Sequence, residues 1–155
     1  MKEEEKYYTP KIEEFYVGFE IKILSSLTDT WINYTIDKDD CLGTWDMSLD
    51  KTRVKWLDKE DIENEGWNFV SKFENEYWPH EDYKLEIKDE ITFVFYLRWR
   101  YTYKCSHLYQ NITILKDDLH RCTDENGEKK KRMLFEGRIK NKSELKKLMR
   151  QLNII

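Results

Sequence analysis

The odd positions from Ile91 to Cys105 are Ile91, Phe93, Phe95, Leu97, Trp99, Tyr101, Tyr103 and Cys105, and the even positions between them are Thr92, Val94, Tyr96, Arg98, Arg100, Thr102 and Lys104. Side chains on a strand alternate between two faces, so this segment predicts a β-strand with an aromatic core face and a basic opposite face. Its fifteen residues would extend about 50 Å, well beyond the usual strand of about five or six residues, so it must bend, bulge or stop early. Phe15, Val17, Phe19, Ile21 and Ile23 alternate with Glu14, Tyr16, Gly18, Glu20 and Lys22, predicting a second half-buried strand. Ile32, Tyr34 and Ile36 predict a third, residues 37–43 a polar loop, and Arg53 to Leu57 a short strand carrying Val54 and Trp56.

Asp58 stands where a helix N-cap would, with Asp61 three residues on and Gly66 as a stop, predicting one or two helical turns. Residues 67–78 fit either period: Trp67, Phe69 and Phe73 suit a strand, whereas Val70, Phe73 and Tyr77 suit a helix, with Pro79 ending either. Tyr83, Leu85 and Ile87 open another strand. In residues 107–116, Leu108, Ile112 and Leu115 have helical spacing while Ile112 and Ile114 suit a strand. Asn126-Gly127 is a hairpin signal joining residues near Arg121 to a strand near Met133 to Ile139. The chain ends on an amphipathic helix over 141–153, with Ser143 as its predicted cap and Leu145, Leu148, Met149 and Leu152 as its apolar stripe. The fold class that follows is α+β and mainly antiparallel β. About seven strands would form a curved sheet or open barrel, with the terminal helix laid on the aromatic face or on a partner subunit.

At 155 residues the length is that of one domain, enough to bury about 68–70% of the unfolded surface; residues 1–10 form a flexible acidic start. Aromatic residues make up 15% of the chain, which sets it apart from disordered sequences. No run of 18 apolar residues exists, so no spanning helix is predicted, and MKEEEKYY lacks the apolar region of a signal peptide. Cys41, Cys105 and Cys122 are odd in number and include no C-x-x-C, which fits a reducing cytoplasm. Charge is split: residues 129–155 carry ten basic and two acidic side chains, a net +8 against −12 for the remaining 128 residues. A basic tail neutralising an acidic body, in cis or across a homo-oligomer, is the plain reading; nucleic-acid contact is the sharper one.

Three stretches, YYTPKIEEFYVGFE (Tyr7 to Glu20), VKWLDKEDIENEGW (Val54 to Trp67) and GRIKNKSELKKLMRQLNI (Gly137 to Ile154), cover 46 of the 155 residues. Together they resemble a group of small uncharacterised proteins of Bacteroides-group gut bacteria and their phages. The segment His107 to Asn111 departs from that group's pattern. The resemblance implies a phage or bacterial cytoplasmic origin. It implies no activity, and no catalytic residue is carried over from it.

Three constellations carry candidate chemistry. Tyr96, Arg98, Arg100 and Lys104 share the basic face and could take a phosphate or stack a base; ordinary cross-strand pairing with Glu14, Glu20 or Glu86 competes with that. Lys129, Lys130, Lys131 and Arg132 form a basic run suited to nucleic acid or simply to solubility. Cys105, His107, His120 and Cys122 would meet in one antiparallel register and could hold zinc, although the one-residue spacers depart from the familiar two to four. A plain core role for Cys105 is the simpler alternative. His80, next to Pro79, reads as an exposed loop residue. With no recognisable nucleophile motif, dinucleotide fingerprint or P-loop, no catalytic residue is assigned. The leading expectation is a non-enzymatic binding or interaction protein of phage or mobile-element origin, capturing a host protein or small anionic ligand in the manner of counter-defence proteins. A nucleic-acid binder, a zinc-binding module and a minor virion component are the alternatives.

Overall fold

The computed structural model describes residues 6–38, 49–74, 79–88, 93–104, 107–117 and 131–155; the side chains of 12, 102–104 and 107–109 lie outside the described set. Nine strands and two α-helices are described: β1 (Tyr7–Tyr8), β2 (Glu20–Leu24), β3 (Trp31–Thr35), β4 (Thr52–Lys55), α1 (Lys59–Asn64), β5 (Asn68–Phe73), β6 (His80–Ile87), β7 (Phe93–Lys104), β8 (His107–Asp117), β9 (Lys131–Gly137) and α2 (Lys142–Gln151). All strand pairs are antiparallel. They form two open sheets, ordered β1-β4-β2-β3 and β5-β6-β7-β8-β9. The expected α+β class, mainly antiparallel with a C-terminal helix, is what the chain adopts. The chain divides into two compact units, Met1–Asp58 with Asn141–Ile155, and Lys59–Lys140. Among the described residues no helix is long and apolar enough to cross a membrane.

In the first unit Phe15, Phe19, Ile21, Ile36 and Val54 form the core, with Tyr8, Tyr16, Ile23 and Tyr34 packed against it. The alternation read from Phe15 to Ile23 is strand only from Glu20 onward. Residues Ile12–Glu14 form a 3-10 turn, Phe19 N–H bonds the Tyr16 carbonyl at 2.9 Å, and Gly18 takes φ +89°. Gly18 N–H then reaches the Ile36 carbonyl at 2.7 Å. A left-handed residue suits glycine because it lacks a Cβ, and it folds Phe15 and Phe19 onto the same core.

Whereas the aromatic strand β7 lies in the other unit, the terminal helix belongs to the same compact unit as this first sheet. Its cap is Asn141, two residues before the expected Ser143: the Asn141 Oδ1 accepts from Glu144 N–H at 2.9 Å. Asn141 also donates through Nδ2 to the Tyr8 hydroxyl at 2.8 Å, and that hydroxyl donates to Glu14 Oε2 at 2.9 Å. Ser143 has a different task, accepting the Glu20 N–H on Oγ at 3.0 Å. Lys146 Nζ meets Glu20 Oε1 at 3.1 Å. Leu145, Leu148 and Met149 are buried, as the apolar stripe predicts.

The second unit is a meander. Phe95, Leu97 and Trp99 of β7 are buried, with Tyr83, Ile112, Ile114, Ile62 and Trp67. The aromatic face is therefore core from Phe95 to Trp99, as its alternation predicts, with Phe93 and Tyr101 half-buried at either end. The described residues of both ambiguous segments form strands, Asn68–Phe73 as β5 at the sheet edge and His107–Asp117 as β8 between β7 and β9, while residues 75–78 lie outside the described set. Gly66, at φ +89°, follows α1, where the sequence expects a helix stop. Glu81 is buried, and its two oxygens accept from the Tyr83 hydroxyl at 2.5 Å and the Tyr101 hydroxyl at 3.3 Å. Burial, and then the Glu81 carboxylate, hold the Tyr83 phenol above its ordinary range.

Two predictions follow from the packing of α2. Replacing Asn141 with Ala removes the cap and the bond to Tyr8, and should cost about 2 kcal/mol, the upper end of cap losses. Ser143→Ala strands one backbone N–H and should cost about 1 kcal/mol; urea unfolding should rank the two variants in that order. Separately, burial pushes the Tyr16 phenol up to about 12 and the Tyr8 phenol still higher. Both groups stay neutral in the folded chain at pH values where the unfolded chain ionises them. Folded-state values above the unfolded ones mean that stability is complete below about pH 10 and falls as pH rises beyond it. Urea midpoints should decline from about pH 10 to pH 12, and Tyr16→Phe should flatten that decline.

Candidate functional site

Directly paired residues of an antiparallel sheet share a face, so register gathers the basic side of β7 with its neighbours. Arg98 lies beside Asp82 of β6 and Thr113 of β8, and Arg100 beside His80 and Asn111. Arg98 donates from Nε to Asp82 Oδ1 at 2.8 Å and from Nη2 to Oδ2 at 3.0 Å, a two-pronged pair. That bonding raises the guanidinium's affinity for its proton. Arg100 Nη1 is 3.6 Å from Glu136 of β9. Lys131 Nζ sits 3.9 Å from the centre of the Tyr96 ring, and burial, then Asp117, raise the Tyr96 phenol. The cross-strand alternative therefore describes this face, with partners other than those expected. Asp82 and Glu136 serve Arg98 and Arg100, while Glu86 pairs with Lys84 at 2.6 Å and Glu20 with Lys146. The Lys104 side chain lies outside the described residues.

The other two constellations fare unevenly. Of the basic run, Lys131 and Arg132 open β9, opposite Asp117 and Lys116, and Lys129 and Lys130 lie outside the described residues. The same holds for Cys105, His120 and Cys122 of the zinc set. The backbone of His107 pairs with Lys104 across β7 and β8. Among the described residues no group of three or more His, Cys, Asp or Glu side chains is arranged to hold a metal ion. His80 is no exposed loop residue: it begins β6, is half-buried, stacks on the Phe73 ring at 5.0 Å and lies 4.0 Å from Asp82.

A different cationic face stands on the first sheet. Tyr8, Val54, Ile21 and Tyr34 turn to the core, so Tyr7, Arg53, Lys55, Lys22, Leu24, Trp31 and Asn33 share the opposite side. The Arg53 guanidinium carbon lies 4.0 Å from the centre of the Tyr7 ring and 4.1 Å from that of Trp31. Lys22 Nζ lies 5.1 Å from the Tyr7 ring. The buried Nε of Arg53 has no hydrogen-bond partner among the described residues. Lys55 meets Asp58 at 2.7 Å, and Glu20, the carboxylate on these strands, is drawn off by Lys146. Chemically this is a cationic surface: a planar cation held between two rings, with the Lys22 ammonium beside the Tyr7 ring and the Lys55 ammonium paired with Asp58. The sequence held its signal at Lys51, Arg53 and Lys55, cations spaced two apart around Val54. The contributions of Tyr7 and Trp31 depend on strand order, which spacing does not give.

No protein-family model, curated protein or solved structure matches the chain.

The Arg98–Asp82 pair is on a solvated face, with side chains 44% and 28% accessible, so its coupling should be small. A double-mutant cycle of Arg98→Ala and Asp82→Ala should return about 0.2–1 kcal/mol, decreasing with added salt.

Proposed function

We propose that this chain is a non-enzymatic binding protein and that it takes a phosphate-bearing ligand on the face of the sheet β1-β4-β2-β3 opposite that sheet's own core. The observation that carries the reading is the stacking of Arg53 between Tyr7 and Trp31 with its buried Nε unpartnered. Stacking on aromatic faces fixes a guanidinium in place without cancelling its charge, and guanidinium edges match phosphate oxygens. Lys22 adds a second cation beside it. The pairing of Arg98 with Asp82 and of Arg100 with Glu136 argues against the β7 face as the place for the same ligand. The sequence likeness to Bacteroides-group and phage proteins favours a bacterial cytoplasm as its setting, where phosphate-bearing solutes and polymers are abundant.

Calorimetric titration of the full chain with tripolyphosphate tests this. Binding is expected at low salt, weakened about tenfold or more by Arg53→Ala, on the scale of a lost charge-assisted hydrogen bond. The Arg98→Ala/Arg100→Ala double variant should bind as the parent does. No binding by the parent, or equal binding by a folded Arg53→Ala chain, refutes the site.

A further inference from the structure

We infer that the edge strand β3 is a self-association site: two copies of this chain pair antiparallel through it, Asn33 against Asn33, and join two four-stranded sheets into one. This stands apart from the phosphate-binding reading and starts from the direction of backbone groups. Ser25 N–H donates to the Thr30 carbonyl at 2.9 Å, and Ile36 N–H to the Phe19 carbonyl at 3.0 Å. In an antiparallel ladder the residues that exchange bonds with a neighbour alternate along the strand. Ile32 and Tyr34 therefore turn their N–H and C=O groups to β2, and Trp31, Asn33 and Thr35 turn theirs away from it. β3 ends the order β1-β4-β2-β3, and among the described residues nothing bonds the outward groups of those three. Ile32 is 48% exposed, and Asn33 and Thr35 are exposed as well, so solvent reaches this edge in the folded chain.

A bare edge invites pairing, and folded proteins blunt their edges with charge, bulges or brevity. Among the described residues the other three sheet edges carry such devices. β1 is two residues long. β5 has a register shift between Phe69 and Ser71 and bears Lys72. β9 has a shift opposite Ile114 and Leu115 and opens on Lys131 and Arg132. β3 has no charge, no proline and an unbroken register with β2. The strand is also complementary to itself. Centred on Asn33, the pairing sets Trp31 against Thr35 and Ile32 against Tyr34, and the outward groups of all three residues meet outward groups of the other copy. The Asn33 amide, both donor and acceptor, faces its own kind, and the exposed Ile32 gains an aromatic neighbour. Slipping the register by two residues would bring Thr35 against Asp29, which takes φ +50° in the turn, or Trp31 against Asp37 beyond the strand's end. A pairing that uses one edge symmetrically closes at two copies, since the far edge of this sheet is the short β1.

Sedimentation velocity of the full chain from about 2 µM to about 500 µM tests this, a span suited to small, transient interfaces. The parent should shift from monomer toward dimer across it, with no larger species. Asn33→Lys and Asn33→Asp each set like charges directly opposite, and each should weaken self-association about tenfold or more. An equimolar mixture of the two variants should restore it as the mixed dimer. Position 33 is exposed, so both variants should keep the parent's thermal unfolding midpoint, which guards against misfolding as the cause. Amide hydrogen exchange on the parent gives a second readout that needs no variant. The amides of Trp31, Asn33 and Thr35 should gain protection as concentration rises, while those of Ile32 and Tyr34, already bonded to β2, should not change. A chain that stays monomeric throughout overturns the inference, as does a dimer indifferent to both Asn33 variants. Variants that fail to recover on mixing overturn the symmetric pairing, and so does a dimer that leaves the three amides unprotected. Protection of those amides by an unrelated extended peptide, with the chain still monomeric, overturns it in favour of a foreign strand.

Discussion

The Asn141 side chain uses both ends of its amide, and the first unit depends on that. Its oxygen caps the first turn of α2 and its nitrogen holds the Tyr8 hydroxyl, so one buried residue joins the C-terminal helix to a strand from the start of the chain. An amide in that position cannot be satisfied by water. Moving the helix would therefore break the bonds of the Asn141 amide to Glu144 and Tyr8 and that of the Glu20 N–H to Ser143 at once, leaving the Tyr8 hydroxyl only its bond to Glu14 from this network. Ser143 and Lys146 then fix the helix's rotation through the Glu20 N–H and carboxylate. The core side of β1-β4-β2-β3 is covered by Phe15, Phe19 and Ile36, and the row containing Arg53 lies on the other side of that sheet.

The elements that were legible in sequence are those where one period dominates. β7 alternates because one face is core and the other meets solvent, and α2 carries an apolar stripe because only one side of it is buried. The segments that resisted reading have physical reasons for doing so. All six residues of β5 are exposed at a sheet edge, and a register shift between Phe69 and Ser71 resets the alternation, so burial imprints no period on Trp67 to Phe73. In β8 the successive residues Ile112, Thr113 and Ile114 are all buried; a strand covered on both faces loses the polar half of the pattern. Between Phe15 and Ile23 the alternation was real, but Gly18 turned part of it into a bend. The cap was misassigned because Ser143 lies closest to the apolar stripe, whereas Asn141 followed three residues later by Glu144 has the spacing of a capping box. No Pro- or Gly-rich linker marks the passage from Asp58 to Lys59 or from Lys140 to Asn141, so two compact units within 155 residues left no compositional trace.

Charge shows the same division between local and non-local information. The sequence locates Arg98 and Arg100 on one face and names acidic strands as competitors, but it cannot say which carboxylate arrives. Strand order supplies Asp82 and Glu136 in place of Glu14, Glu20 and Glu86. For Arg53 the sequence offered less, because attention to Val54 and Trp56 as apolar positions passes over the cations that alternate with them. Its ring partners are 46 and 22 residues away in sequence, and only the order β1-β4-β2-β3 brings them to it.

The two arginine environments also differ in what they leave behind. An exposed ion pair such as Arg98–Asp82 contributes about 0.2–1 kcal/mol, and a cation over an aromatic ring about 0.5–1 kcal/mol, or about 2 when desolvated. Either can hold a guanidinium in place. A carboxylate cancels the charge it holds, however, whereas a ring interacts through its quadrupole and leaves the monopole intact. The five-stranded sheet is thus electrostatically closed on itself along β7. The four-stranded sheet keeps a fixed positive charge whose entropy of ordering was met during folding rather than on contact, and such preorganisation favours binding of an incoming anion over binding by a loose surface lysine. It is the choice of rings over carboxylates that leaves the Arg53 charge uncancelled among the described residues.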